Sequence, residues 1–328
     1  FDATFKYMNT TNNKFNFKRI SKTTYPCTVS IGKYDGTGNV NDLGRGELYN
    51  AAMLYILSEL VIVDKINYYL LPIMMFDIKY DEIKKNKEIY DIMKDNIRET
   101  DKYYVLITEH YFKMNTLTEY IKENYNEMKK INWKVLLFQI FYALQKIIDR
   151  FQTFRHNRFN LDAIKIYYKT IDKEQEKQEY KMGSTSFLIP NLGFEIKICD
   201  FNRATTSDFI RNKDAYDIRE NPYYDIHYFI CSLYLYLVDN YGEAPDYLLT
   251  FMKSIVHQKF FPEIGKTFEG LNETLFDSVA SEIIIPIWIL RKNNFFEEFI
   301  MDMSNSPTEN KHINIENVGG KQNDIEYN

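Results

Sequence analysis

The sequence predicts an α+β chain in two unequal parts. A small strand-rich part with one major helix comes first, and a larger helical part with a few short strands follows. Three observations predict this. Short runs rich in β-branched and aromatic residues crowd the first third of the chain. Trp133, Leu136, Leu137, Ile140, Phe141, Leu144, Ile147, Ile148 and Phe151 recur at helical spacing over about five turns. From Asp225 to about residue 300 the apolar pattern is again helical.

The elements follow in order. Alternating runs at 14–20 and 26–31 read as strands within a polar, Thr- and Asn-rich opening. Residues 32–46 hold five of the twelve glycines and read as a loop. The stretch 47–63 has an apolar face too wide for a surface helix, so it is expected to be sandwiched. A strand is expected at 68–76. Residues 79–102 are charged with helical spacing and read as a solvated surface helix or insertion. A strand at 103–109, a short polar helix at 116–124 and the long helix at 133–151 come next. Residues 164–168 read as a strand and 170–181 as a charged hairpin tip or loop. Strands at 186–189 and 194–199 flank Pro190-Asn-Leu-Gly193. The division expected is 1–110, 111–300 and a polar tail at 301–328.

Composition narrows the function classes. A chain of 328 residues with 45% hydrophobic and 16% aromatic residues can bury a core, which excludes disorder throughout. A net charge of −5 gives no support to a nucleic-acid coat or a polybasic membrane binder. Cys27, Cys199 and Cys231 form neither a CxxC nor a zinc spacing, so a reducing compartment is expected. The apolar stretches 51–63 and 283–290 fall short of the ~20 residues of a membrane span. No signal peptide is legible, and the chain opens on Phe1 rather than Met, which leaves room for residues upstream.

Three stretches carry a family resemblance. Residues 107–121 (ITEHYFKMNTLTEYI) look like a kinase hinge and its short helix. Residues 154–166 (FRHNRFNLDAIKI) look like a catalytic loop and the strand after it. Residues 194–204 (FEIKICDFNRA) look like the strand entering an Asp-Phe-Gly metal turn. Their order and spacing resemble a bilobal protein-kinase-like fold, α+β, with a small β-rich N-lobe and a larger helical C-lobe. The runs 189–194 (IPNLGF) and 221–229 (NPYYDIHYF) narrow this to the serine/threonine-kinase-like proteins of nucleocytoplasmic large DNA viruses, the giant viruses. The match covers about residues 45–300.

The resemblance also sets what should be present. Phosphoryl transfer on this fold uses a catalytic-loop Asp, an Asn five residues later for magnesium, a metal-turn Asp, a third-strand Lys paired with a helix Glu, and a glycine-rich cover over the phosphates. Here Arg158 occupies the base position, and a guanidinium is always cationic and accepts no proton. Ala163 occupies the Asn position and offers no side-chain oxygen, with Asp162 beside it as a substitute. His156 and Asp200 are retained. Asn202 replaces the turn Gly and tolerates a left-handed backbone. No glycine lies in the first 31 residues, and Gly36-Thr-Gly38 comes after the strand that should carry the lysine. Gly32 stands at the lysine position, and Lys33, one place off, faces the other side of the strand. Glu47 is the helix candidate for its partner.

The expectation is therefore a pseudokinase with no cofactor, acting as an interaction or structural component of a large DNA virus. It is expected in the virion or the cytoplasmic viral factory, with other viral proteins as partners and no nucleic acid. The alternative is an atypical serine/threonine kinase with rearranged groups, using ATP and Mg²⁺ at Lys33, Glu47 and Asp200. Asp225 resembles the buried Asp that holds a kinase catalytic loop. His227 and the Tyr-rich run 223–241 read as packing residues.

Overall fold

A computed structural model describes residues 4–11, 14–20, 26–34, 40–42, 44–111, 113–169, 176–207, 211–212, 224–257, 260–262 and 285–301. Gly36, Gly38, residues 170–175 and 221–223, and the tail from 302 onward lie outside the described residues. The small lobe is built on strands β1 (Thr4–Thr11), β2 (Lys14–Ile20), β3 (Cys27–Lys33), β4 (Pro72–Ile78) and β5 (Tyr103–Glu109). They form one antiparallel sheet in the order β1-β2-β3-β5-β4. Helix α1 (Gly46–Ile62) connects β3 to β4. It buries Tyr49, Met53, Leu54 and Leu57 in a core shared with Tyr34, Tyr104 and Leu106 of the sheet.

Strand β1 has no counterpart in the expected elements. Its sequence, TFKYMNTT, lacks clean alternation, but Thr and aromatic residues favour a strand once β2 supplies a pairing edge. The strand expected at 68–76 begins later, at Pro72, because Tyr68, Tyr69 and Leu70 are buried against the large lobe instead.

The solvated helix expected at 79–102 is corrected. Helices α2 (Tyr80–Lys85) and α3 (Lys87–Met93) put Ile83, Ile89 and Met93, with Ile97, against the outer face of the sheet. There they meet Phe15, Cys27, Val29, Ile31, Tyr103 and Val105 in a second core. The charged residues outnumber this apolar set locally, which hides it from a composition reading. At β3 and β5 the sheet is consequently covered on both faces.

In the large lobe, α4 (Leu117–Asn124) starts with a capping box. Thr116 Oγ1 accepts from the Glu119 N–H, and the Glu119 carboxylate accepts from the Thr116 N–H. Helix α5 (Lys130–Arg150) is the lobe's axis; every residue from Trp133 to Leu144 is buried, so it is enclosed on all sides. Strands β6 (Asn115–Thr116), β7 (Ile164–Tyr168) and β10 (Phe194–Ile198) form a three-stranded sheet in the order β10-β7-β6. Between β7 and β10, β8 (Lys177–Met182) and β9 (Thr185–Pro190) form a hairpin. The loop expected through 181 is thus partly strand: Tyr180 and Met182 alternate inward and are buried. Helices α6 (Tyr224–Tyr241), α7 (Asp246–Ile255) and α8 (Pro286–Lys292) complete the lobe. Tyr224 and Tyr228 are buried, and Tyr234, Tyr236 and Tyr241 pack partly buried on the core. His227 is 2% exposed, with its ring against Phe260.

Candidate functional site

The loop after α5 is held by its backbone. Asp225, in the first turn of α6, is buried and accepts from the His156 N–H at 2.7 Å and the Asn157 N–H at 2.9 Å. Burial raises the Asp225 pKa above the usual carboxylate value, against the lowering pull of these donors and of Arg155. The fully buried His156 ring reaches the Cys199 carbonyl through Nε2 at 2.9 Å. Asn157 takes a left-handed backbone at φ 62° and donates from Nδ2 to the Arg203 carbonyl at 2.8 Å. Arg155 exchanges two backbone hydrogen bonds with Thr205, at 2.9 and 2.8 Å, and its guanidinium lies 4.2 Å from the Tyr224 ring centre. Asn160 Oδ1 caps the 3-10 turn Leu161–Ala163 by accepting from the N–H groups of Asp162 and Ala163.

The turn after β10 is fixed from the small lobe. Asp200 is left-handed, with φ 66° and ψ 54°; the residue expected there, Asn202, is instead in the 3-10 turn Phe201–Arg203. Asn202 Nδ2 donates to Asp200 Oδ1 at 2.7 Å. Phe201 is fully buried beside Phe154 and His156, and its N–H donates to Asn50 Oδ1 of α1 at 2.8 Å.

The small-lobe side is filled by rings. Cys27, Val29 and Ile31 face the outer core, so Thr28, Ser30 and Gly32 share the opposite, α1-facing side of β3. In the observed register no lysine of β3 stands on that side. A Cβ on Gly32 would lie 2.4 Å from the Tyr104 ring, which occupies the space there. Tyr104 packs on Tyr34, whose hydroxyl donates to Asp77 at 2.7 Å. Lys33 points to the outer side and pairs with Asp101 at 3.0 Å. Glu47 pairs with Arg45 at 3.6 Å, and Arg45 lies over the Tyr34 ring. Lys33 and Glu47 are therefore not brought together.

Two mimivirus proteins (Acanthamoeba polyphaga mimivirus) match this chain. One is named "Putative serine/threonine-protein kinase R400" and is 29% identical over 198 residues, 56% of this chain and 41% of its own. The other, "Uncharacterized protein R402", is 24% identical over 301 residues, 90% of this chain and 33% of its own. The chain is kinase-like and resembles giant-virus kinases. No family model matches it. Among solved structures, "WaaP in complex with acyl carrier protein" aligns with a TM-score of 0.40 and 10% identity, over 79% of this chain and 90% of that one. The chain spans well under half the length of either mimivirus relative.

The remaining residues that the motif reading singled out lie as follows. Arg158 is half-buried, and among the described residues no hydrogen bond or ion pair engages its guanidinium. Ala163 is buried. Asp162 is exposed and accepts from Thr118 Oγ1 of α4 at 2.7 Å, while the Asp200 carboxylate takes Asn202, so the two carboxylates have separate partners. These residues do not fit Mg²⁺–ATP as the fold ordinarily holds it. Asp200 is the one carboxylate at the turn, the Asn position carries a methyl group, and the inner face of β3 carries a tyrosine ring against a glycine.

Sequence reasoning missed two features. Asn50 stands one turn beyond Glu47 on α1, and the spacing of three was its signal. The fully buried Lys197 pairs with the partly exposed Glu109 at 2.9 Å. A Lys inside the apolar run Ile196-Lys-Ile198 was its signal.

Proposed function

We propose that this kinase-like domain is a pseudokinase: it does not transfer phosphate and acts through its surface, as an interaction or structural component of a large DNA virus. Its partners are other viral proteins, met in the virion or in the cytoplasmic factory. The observation that carries this reading is Arg158, a cation at the base position of a loop held by Asp225 through the N–H groups of His156 and Asn157. The filled space at Gly32 supports it from the small lobe. Among the described residues no helix is long and apolar enough to cross a membrane.

Two measurements test it. Thermal unfolding with millimolar ATP and Mg²⁺ is expected to shift by less than about 1 °C; a rise of several degrees shows that nucleotide binds the folded chain. Phosphate incorporation into a generic protein substrate is expected to equal that of Asp200→Ala. Incorporation that Asp200→Ala abolishes establishes the alternative, an atypical serine/threonine kinase. The left-handed Asp200, half-buried with its carboxylate held by a single amide, is what favours that alternative.

A further inference from the structure

We infer that the two lobes are locked at one angle by strand β10, with Lys197 as the pin. This stands apart from whether phosphate is transferred. Strand β10 pairs with β7 along one edge, within the large lobe. Its other side takes the connection between α1 and β4. The Ile198 N–H donates to the Tyr68 carbonyl at 2.8 Å, and the Leu70 N–H donates back to the Ile198 carbonyl at 3.3 Å. Tyr69, fully buried between them, reaches through to α5, where its hydroxyl donates to the Ala143 carbonyl at 2.8 Å. Tyr68 stacks on Tyr180 of the β8–β9 hairpin, and the two hydroxyls are hydrogen-bonded.

One residue earlier on β10, the fully buried Lys197 draws in the hinge. Its Nζ meets Glu109 Oε1 at 2.9 Å and donates to the Tyr69 carbonyl at 3.2 Å. The rings of Tyr111 and Tyr167 lie 5.0 and 5.8 Å from it. Glu109 in turn accepts from the Leu71 N–H at 3.0 Å and from the Tyr111 hydroxyl at 2.7 Å. A single ammonium of the large lobe thus gathers the end of β5, Tyr111 just beyond it and the connection that precedes β4. Burial lowers the Lys197 pKa and Glu109 opposes that fall. Rotation of one lobe on the other would part the fully buried Lys197 ammonium from its partners and leave a buried charge unpaired, so the joint resists opening.

The test is a distance distribution between nitroxides at Lys84→Cys on α2 and Lys253→Cys on α7, both exposed. The native cysteines are all buried, which favours selective labelling. The unliganded protein is expected to give one narrow distribution. Lys197→Met should broaden it and raise amide exchange in β5 and 68–71 at least tenfold, while the centre of α5 keeps its protection. Tyr111→Phe, which removes one hydroxyl and leaves the ion pair, should raise the same amides about threefold and serves if the methionine variant does not fold. A broad or two-peaked distribution in the unsubstituted protein overturns the inference. So does a Lys197→Met protein as narrow and as protected as the parent.

Discussion

The two lobes hold their facing segments in different ways. On the large-lobe side the loop is held through its backbone: Asp225 accepts from two N–H groups, His156 meets the Cys199 carbonyl and Asp200 is left-handed, with Arg158 half-buried and Ala163 buried. On the small-lobe side a side chain takes the space: the Tyr104 ring lies beside Gly32 and packs on Tyr34. The difference teaches that a loop's shape and its chemistry are separable. Backbone-directed hydrogen bonds keep the shape whatever side chain stands at 158, while a filled space removes a ligand's room without touching the loop.

The largest effect should come from breaking the large-lobe scaffold. Asp225→Asn puts an amide where two N–H donors converge, and should cost about 3 kcal/mol in urea denaturation. A loss under about 1 kcal/mol would mean that the loop holds its shape without that carboxylate. Acid probes the same lobe. Burial pushes His227 down to about 4 from its ordinary 6.5, so between those values the unfolded chain takes up a proton that the folded chain refuses. Its contribution is whole above about pH 6.5 and is lost as the pH falls toward 4, by up to about 3 kcal/mol. Buried Asp225, with its raised pKa, works in the opposite sense. The acid loss of the parent minus that of His227→Phe therefore isolates the histidine; equal slopes would exclude it.

The small-lobe side gives smaller numbers. Gly32→Ala should cost about 2 kcal/mol by overpacking, and less than about 0.5 kcal/mol in a Tyr104→Ala background, since the ring is the obstacle. Equal costs in both backgrounds would place the strain elsewhere. Lys33→Ala removes a partly exposed ion pair with Asp101 and should cost no more than about 0.5 kcal/mol. Last, Arg158→Asp restores a carboxylate to the base position but not the room beside β3, so phosphate incorporation should stay at the Asp200→Ala background. Recovered activity would show that the chemistry alone had been lost.

Much of the element order was legible in both lobes. The strands at 103–109 and 164–168 match β5 and β7 because each is a single apolar run, and α5 is marked by its periodicity. What sequence could not convey were contacts between distant segments. Glu195 and Lys197 alternate with Phe194, Ile196 and Ile198, the pattern of a half-exposed strand, yet both polar side chains are buried because Tyr167, Lys169 and Glu109 cover that face. Likewise, the place of Lys33 depends on which side of β3 faces α1, and the outer core formed with α2 and α3 settles that. The loop positions at 158 and 163 could be read directly, since motif spacing is a local property; their partners could not.

The double covering of the small-lobe sheet has one more consequence. Over β3 and β5, where a bare sheet would offer a flat pleated wall, a visitor meets two short helices studded with Lys84, Lys85, Lys87, Glu82, Glu88 and Asp91, carbon hidden and charges of both signs outward. Any contact made from that quarter would have to be polar and read along helical ridges.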